Sequence, residues 1–95
     1  MSKYTRSCRN QPCLVRIPEV CINNPATTVG AHLNGAGLAL KALDIHLADA
    51  CSSCHEWLDG GYVRYGVSRA VRDLWHLQAI LRTQTRMVED GTLVI

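Results

Sequence analysis

The sequence predicts a small α+β domain stapled by a metal, with a long amphipathic helix at its C-terminal end. Three observations carry that expectation. The chain has 95 residues, room for one hydrophobic core and not two. It is 47% hydrophobic but only 5% aromatic, with no Phe, so the core is aliphatic and thin. A core of that size supplies only about 3–5 kcal/mol, which is why such domains recruit a staple. Four of the five cysteines fall into two local pairs, Cys13 with Cys21 and Cys51 with Cys54, which supplies one.

Residues 1–12 are polar and basic, with Lys3, Arg6 and Arg9, and read as a flexible arm ahead of a single domain at 13–95; Cys8 in the arm reads as a free thiol. Residues 13–21 alternate apolar and polar and turn at Pro18-Glu19, a short strand or loop forming a small hairpin. Asn23-Asn24-Pro25 is a turn. Residues 27–33 are β-branched and then apolar, a strand that ends at Asn34-Gly35. The glycines of Gly35-Ala36-Gly37 sit too close together for a dinucleotide fingerprint, and no Gly-Lys-Ser/Thr follows.

Residues 38–50 fit neither the helical nor the strand period. A short helix starts within the Cys51–Cys54 pair and stops at Gly60-Gly61. The clearest element runs from Val67 to about Glu89, capped by Ser68 and ended by Asp90-Gly91. Ala70, Leu74, Leu77, Leu81 and Val88 share one side and are expected to face the core. Arg72, His76, Thr83 and Arg86 fall opposite, a solvated face on which Arg72 and Arg86 are candidate phosphate contacts. Residues 92–95 form an apolar tail able to pair as an edge strand.

No secretory signal is visible, so the chain is expected in the cytoplasm of a bacterial host, where disulfides would be reduced and clustered cysteines point to metal. Cys51-x-x-Cys54 is a tight zinc knuckle, and Cys13 and Cys21 complete a four-sulfur set. The alternative for Cys13 and Cys21 is a role as small buried hydrophobes. Cys51-x-x-Cys54-His55 also matches the c-type haem string, but that needs export and a crowded apolar pocket. A thioredoxin-like pair needs a βαβ context, which is missing. His32, closing a strand beside a glycine-rich loop, and His55, next to the knuckle, are the chemistry-bearing histidines. A strand histidine as base and a helix histidine as ligand of a divalent ion is the pair that phosphodiester hydrolysis asks for.

The string from His32 through His46, Cys51, Cys54 and His55 resembles the HNH, or His-Me finger, nuclease motif. More closely, Cys13-Leu14-Val15-Arg16-Ile17-Pro18-Glu19-Val20-Cys21, Asn24-Pro25-x-Thr27-Thr28-Val29-x-Ala31-His32-Leu33 and Ala50-Cys51-Ser52-Ser53-Cys54-His55-x-x-x-Asp59 resemble the YbcO-like nucleases of lambdoid prophages, and Arg82-Thr83-Gln84 fits as well. The resemblance implies a ββα-metal fold and a metal-dependent endonuclease acting on DNA in phage recombination or DNA processing. It makes His32 the general base and His55 a ligand of a catalytic Mg²⁺ or similar ion. Cys13, Cys21, Cys51 and Cys54 become the ligands of a structural Zn²⁺. Two positions depart from the HNH pattern: Ala31 stands where many members carry an acidic ligand, and His46 stands where the central Asn would fall. His46 and Asp44 are then further candidate ligands, or simply a solvated loop pair.

The net charge of +2 permits a nucleic-acid partner without demanding one. No membrane segment and no organic cofactor are expected. A non-catalytic zinc-stapled module that binds DNA or protein is the alternative, and Ala31 is the feature that keeps it open.

Overall fold

The computed structural model describes residues 2–33 and 43–95. In order these form α1 (Lys3–Ser7), β1 (Val29–His32), β2 (Leu47–Ala50), α2 (Ser52–Asp59) and α3 (Arg69–Glu89), with short 3-10 turns at Pro25–Thr27 and Gly61–Tyr65. The expected α+β class and long C-terminal helix are present; the glycine loop at 35–37 lies outside the described residues.

β1 and β2 pair antiparallel, with Val29 opposite Ala50 and His32 opposite Leu47. All four residues of β2 are buried, Asp49 among them, so the strand has no solvent face for an alternating pattern to mark. α3 lies against β2. Leu14 N–H donates to the Asp49 carbonyl at 2.8 Å, so the 13–21 segment docks on the hairpin. That segment is an irregular loop and not a hairpin of strands; Arg16 and Glu19 take left-handed backbone, at φ 55° and 64°. Trp57 is buried and stacks on Trp75 at 5.6 Å, joining α2 to α3 over a core that includes Val15, Ile17, Leu58 and Ile80.

α3 starts at Ser68, whose hydroxyl accepts from Val71 N–H, and ends before Gly91 at φ 82°. Its orientation is the opposite of the one its hydropathy predicts. Leu74, Leu77 and Leu81 are 51%, 45% and 63% exposed, whereas Arg72, His76 and Thr83 are buried and Arg86 is half-buried. The reason lies in what a two-stranded sheet leaves unsatisfied, because buried backbone polar groups require partners. Arg72 Nη1 donates to the Leu58 carbonyl at 2.8 Å, capping the C-terminal turn of α2. His76 Nε2 bonds the Ala31 carbonyl at 2.9 Å. Thr83 Oγ1 accepts from Asp49 N–H at 3.0 Å. Arg86 holds both oxygens of the Asp49 carboxylate, each at 3.0 Å. The polar stripe is therefore the inner face.

Two expected outcomes follow from these bonds. Thr83→Ala strands the Asp49 N–H in the interior and should cost about 1–3 kcal/mol in a urea melt, while preserving the fold. His76 is fully buried, and burial pushes its pKa below the ordinary histidine value. The unfolded chain then takes up the proton first. Stability is complete above roughly pH 6.5 and declines as the pH falls through the depressed value. His76→Gln should flatten that part of the melting-temperature profile between pH 7 and 5.

The N-terminal segment departs from a flexible arm. Ser2 caps α1 through Thr5 N–H, and Cys8 is fully buried against Leu47 and Met87. Cys8 Sγ lies where a Cβ on Gly30 would stand 3.2 Å from it, so a glycine in β1 makes room for it. Burial first, then the Asp49 carboxylate, pushes its thiol pKa up to about 12. The tail is not a strand either; Leu93 N–H returns to the Met87 carbonyl at 3.0 Å. No helix among the described residues is long and apolar enough to cross a membrane.

Candidate metal centre and active site

The sulfurs of Cys13, Cys21, Cys51 and Cys54 lie within 4.8 Å of one another, and the four are free thiols. The Cys21 and Cys51 sulfurs are 3.9 Å apart, far beyond a disulfide. Metal–sulfur bonds of about 2.3 Å in a tetrahedron place sulfurs about 3.8 Å apart, so the spacing suits a small tetrahedral cation. The electrostatics agree. A hydrogen bond from Cys54 pulls the Cys13 thiol down to about 4, and that same bond, with burial, pushes Cys54 up. A cation bound by the four sulfurs would offset their repulsion as thiolates.

Local chemistry brings the sulfurs together. Cys51 occupies the N-cap position of α2 in extended backbone without capping the helix by its side chain. Thr27 Oγ1 takes over, accepting from Ser52 N–H at 3.2 Å. On the other side, Arg82 donates from Nε and Nη2 to the Leu14 carbonyl at 2.9 and 2.6 Å, pinning the 13–21 loop to α3.

His32 ends β1 with its side chain 40% exposed, and its Nε2 lies 2.9 Å from Asp44 Oδ1. A hydrogen bond from His32 contributes to holding the Asp44 carboxyl below the usual carboxylate range, after a larger one from Ser2. His46 precedes β2, and its carbonyl accepts from Leu33 N–H across the hairpin. His55 lies in the first turn of α2, 3.4 Å from Asp59 Oδ2 one turn later. His32 is thus joined to Asp44, and His55 to Asp59, as two separate half-exposed pairs. Among the described residues the cysteines are the one set of three or more donors gathered for a metal.

Arg72 and Arg86, expected on a solvated face as candidate phosphate contacts, are turned inward by the carbonyl and carboxylate they satisfy. Sequence reasoning missed Asp49, the partner of Arg86, although a lone acid in the run Leu47-Ala48-Asp49-Ala50 is itself a sign that a buried cation must meet it. Arg16 and Arg82 instead line an open groove of about 330 Å³ beside Trp75 and Gln78.

Comparisons with known proteins agree with one another. The family model described as "Putative nuclease YbcO" matches residues 2–92. "Putative nuclease YbcO" of Escherichia coli (strain K12) is 33% identical over 98% of each chain, and "Putative nuclease ybcO" of Enterobacteria phage 82 is equally similar. A solved chain titled "Structure of a putative bacteriophage protein from Escherichia coli str. K-12 substr. MG1655" superposes with a TM-score of 0.74 at 31% identity, covering 92% of this chain and 98% of its own. Matched over nearly its whole length in both sequence and fold, this chain belongs to the YbcO family.

Proposed function

We propose that the chain is a metal-dependent endonuclease of the HNH type that hydrolyses DNA phosphodiester bonds, with His32 as general base. The observation that carries the reading is the His32–Asp44 pair at 2.9 Å, half-exposed at the end of the hairpin. A carboxylate accepting from Nε2 would fix the proton there and leave Nδ1 as the ring's proton-free nitrogen. The succession β1, β2, α2 supports the reading, because it sets a strand histidine on the first element and a helix histidine on the third, the order of a ββα-metal site. The relatives' printed name supplies the reaction class.

His55 and Asp59 offer an imidazole and a carboxylate one helical turn apart, a donor set that a hard divalent cation completes with water and phosphate oxygens. Such a cation supplies charge against the oxyanion that develops as the ester breaks. In this reading Asp44 orients the base, and His46 meets Leu33 across the hairpin through its backbone carbonyl. Zn²⁺ is the structural ion for Cys13, Cys21, Cys51 and Cys54, holding the start of α2 and thereby the aim of His55. Arg16 and Arg82 take the place of Arg72 and Arg86 as the cations on offer to the DNA backbone.

One observation favours the non-catalytic module: Ala31 gives no acid before the base, and no third donor joins His55 and Asp59 among the described residues. A nicking assay on supercoiled and branched DNA with Mg²⁺ or Mn²⁺ separates the two. Under the nuclease reading, His32→Ala keeps fold, metal content and DNA binding while cleavage falls by about 100-fold or more. Cleavage equal to wild type removes His32 as the base, and a wild type that binds but never cuts installs the module.

A further inference from the structure

The groove beside α3 holds two guanidinium groups and an aromatic ring whose binding capacity the fold leaves partly unspent. Trp75, Gln78 and Arg82 stand three and then four residues apart on α3 and so share one of its sides. The 13–21 loop supplies the other wall with Arg16, Ile17 and Pro18. The Trp75 ring rests on Trp57 at 5.6 Å and 15°, and the half-exposed side chain lines the groove.

Both arginines are clipped in place by backbone carbonyls. Arg16 Nε donates to Cys13 at 3.3 Å, and Arg82 Nε and Nη2 donate to Leu14. Both terminal nitrogens of Arg16 and Nη1 of Arg82 then have no partner among the described residues, and neither arginine is paired there with an acid. Burial, and after it the neighbouring Arg16 charge, pushes the Arg82 pKa down, so the two cations are near enough to repel; Cys13 offsets only part of this. Like charges held together without an acid suit an anion from outside. Arg16 also stands at φ 55°, a backbone conformation that glycine takes freely and that strains a residue bearing a Cβ. Strain of that kind concentrates at binding sites.

We propose that this groove takes an unpaired nucleotide of DNA, its phosphate held between Arg16 and Arg82 and its base stacked against Trp75. The volume of about 330 Å³ is that of a small-ligand pocket, and a duplex does not enter it. An indole can stack only on a base that is free of its own duplex neighbours. An acidic peptide would answer the arginines and leave the ring unused. The inference rests on the nuclease reading for the cut and names its substrate, DNA with a single-stranded stretch.

Fluorescence titration of the full chain with a short oligothymidylate, without added Mg²⁺, reads the groove whether or not His32 cuts. Stacking is expected to quench the emission of Trp75. The oligothymidylate should bind about 10-fold or more tighter than a duplex of equal length, the scale of one stacked base. Trp75→Phe keeps a ring against Trp57 and should abolish the quenching, since the remaining Trp57 is buried. Arg16→Gly suits the positive φ and should keep the circular dichroism spectrum. Its binding should weaken, and the log–log salt slope should fall by about 0.7, the share of one phosphate contact on a single strand. Quenching that survives Trp75→Phe removes the stacked base, and a slope unchanged in Arg16→Gly removes the phosphate. A duplex that binds as tightly overturns the unpaired nucleotide, and an oligoaspartate peptide that displaces the oligothymidylate at equal concentration makes the groove a peptide site. The expected binding in a protein that never nicks DNA leaves the groove standing and sinks the nuclease alone.

Discussion

Cys54→Ser is expected to yield a chain that does not fold. Cys54 is fully buried, its sulfur is one of four within 4.8 Å, and the 13–21 loop it helps to hold has no helix or strand of its own. That loop places Arg16 and Glu19 in left-handed backbone, which disfavours a residue bearing a Cβ by about 1–2 kcal/mol each. It borrows much of its order from Arg82 and from the Leu14 bond to Asp49. A four-thiolate zinc in a domain of this kind contributes about 10–16 kcal/mol of folding free energy, more than the whole net stability of a typical small domain. Metal analysis should find one zinc per wild-type chain, and circular dichroism should show Cys54→Ser, or wild type treated with a strong chelator, losing its helical signal. A well-folded protein free of metal would overturn the structural zinc.

The second large effect belongs to the Arg86–Asp49 pair. Asp49 is fully buried, and burial pushes its pKa up although Arg86 opposes that shift. Removing the guanidinium leaves a carboxylate in the interior with nothing to balance it. Arg86→Ala should therefore cost about 3–5 kcal/mol in chemical denaturation. Asp49→Leu combined with Arg86→Leu removes both charges and should be less destabilised than either single change. Should Arg86→Ala unfold the chain outright, the rescue by the double variant still decides the matter. A double variant worse than both singles would show that the pair is not what Arg86 supplies.

The elements that sequence reasoning places well are those with local signals. Ser68 as N-cap, Gly91 beyond the last turn, the β-branched start of β1 and the glycines after α2 each act within a few residues, and each acts where expected. The cysteine set is legible for a related reason: each of its pairs, Cys13 with Cys21 and Cys51 with Cys54, is local in the sequence. The inner face of α3 is not legible, because hydropathy registers the number of apolar groups and not the number of open backbone groups awaiting a donor. Ala31, Asp49 and Leu58 lie 45, 34 and 14 residues from the α3 side chains that satisfy them. The same limit hides the His32–Asp44 pair, two residues that the fold brings to 2.9 Å from separate stretches of the sequence.

The polar contacts of α3 also constrain how such a chain can change over time. An aliphatic core tolerates one substitution at a time, because neighbouring methyl groups shift to fill the gap. A bidentate clasp between Asp49 and Arg86 has no such slack: losing either partner strands the other, so a lineage can pass from the charged pair to an apolar one only by altering both positions in quick succession. In an alignment of homologous sequences, positions 49 and 86 should therefore change together.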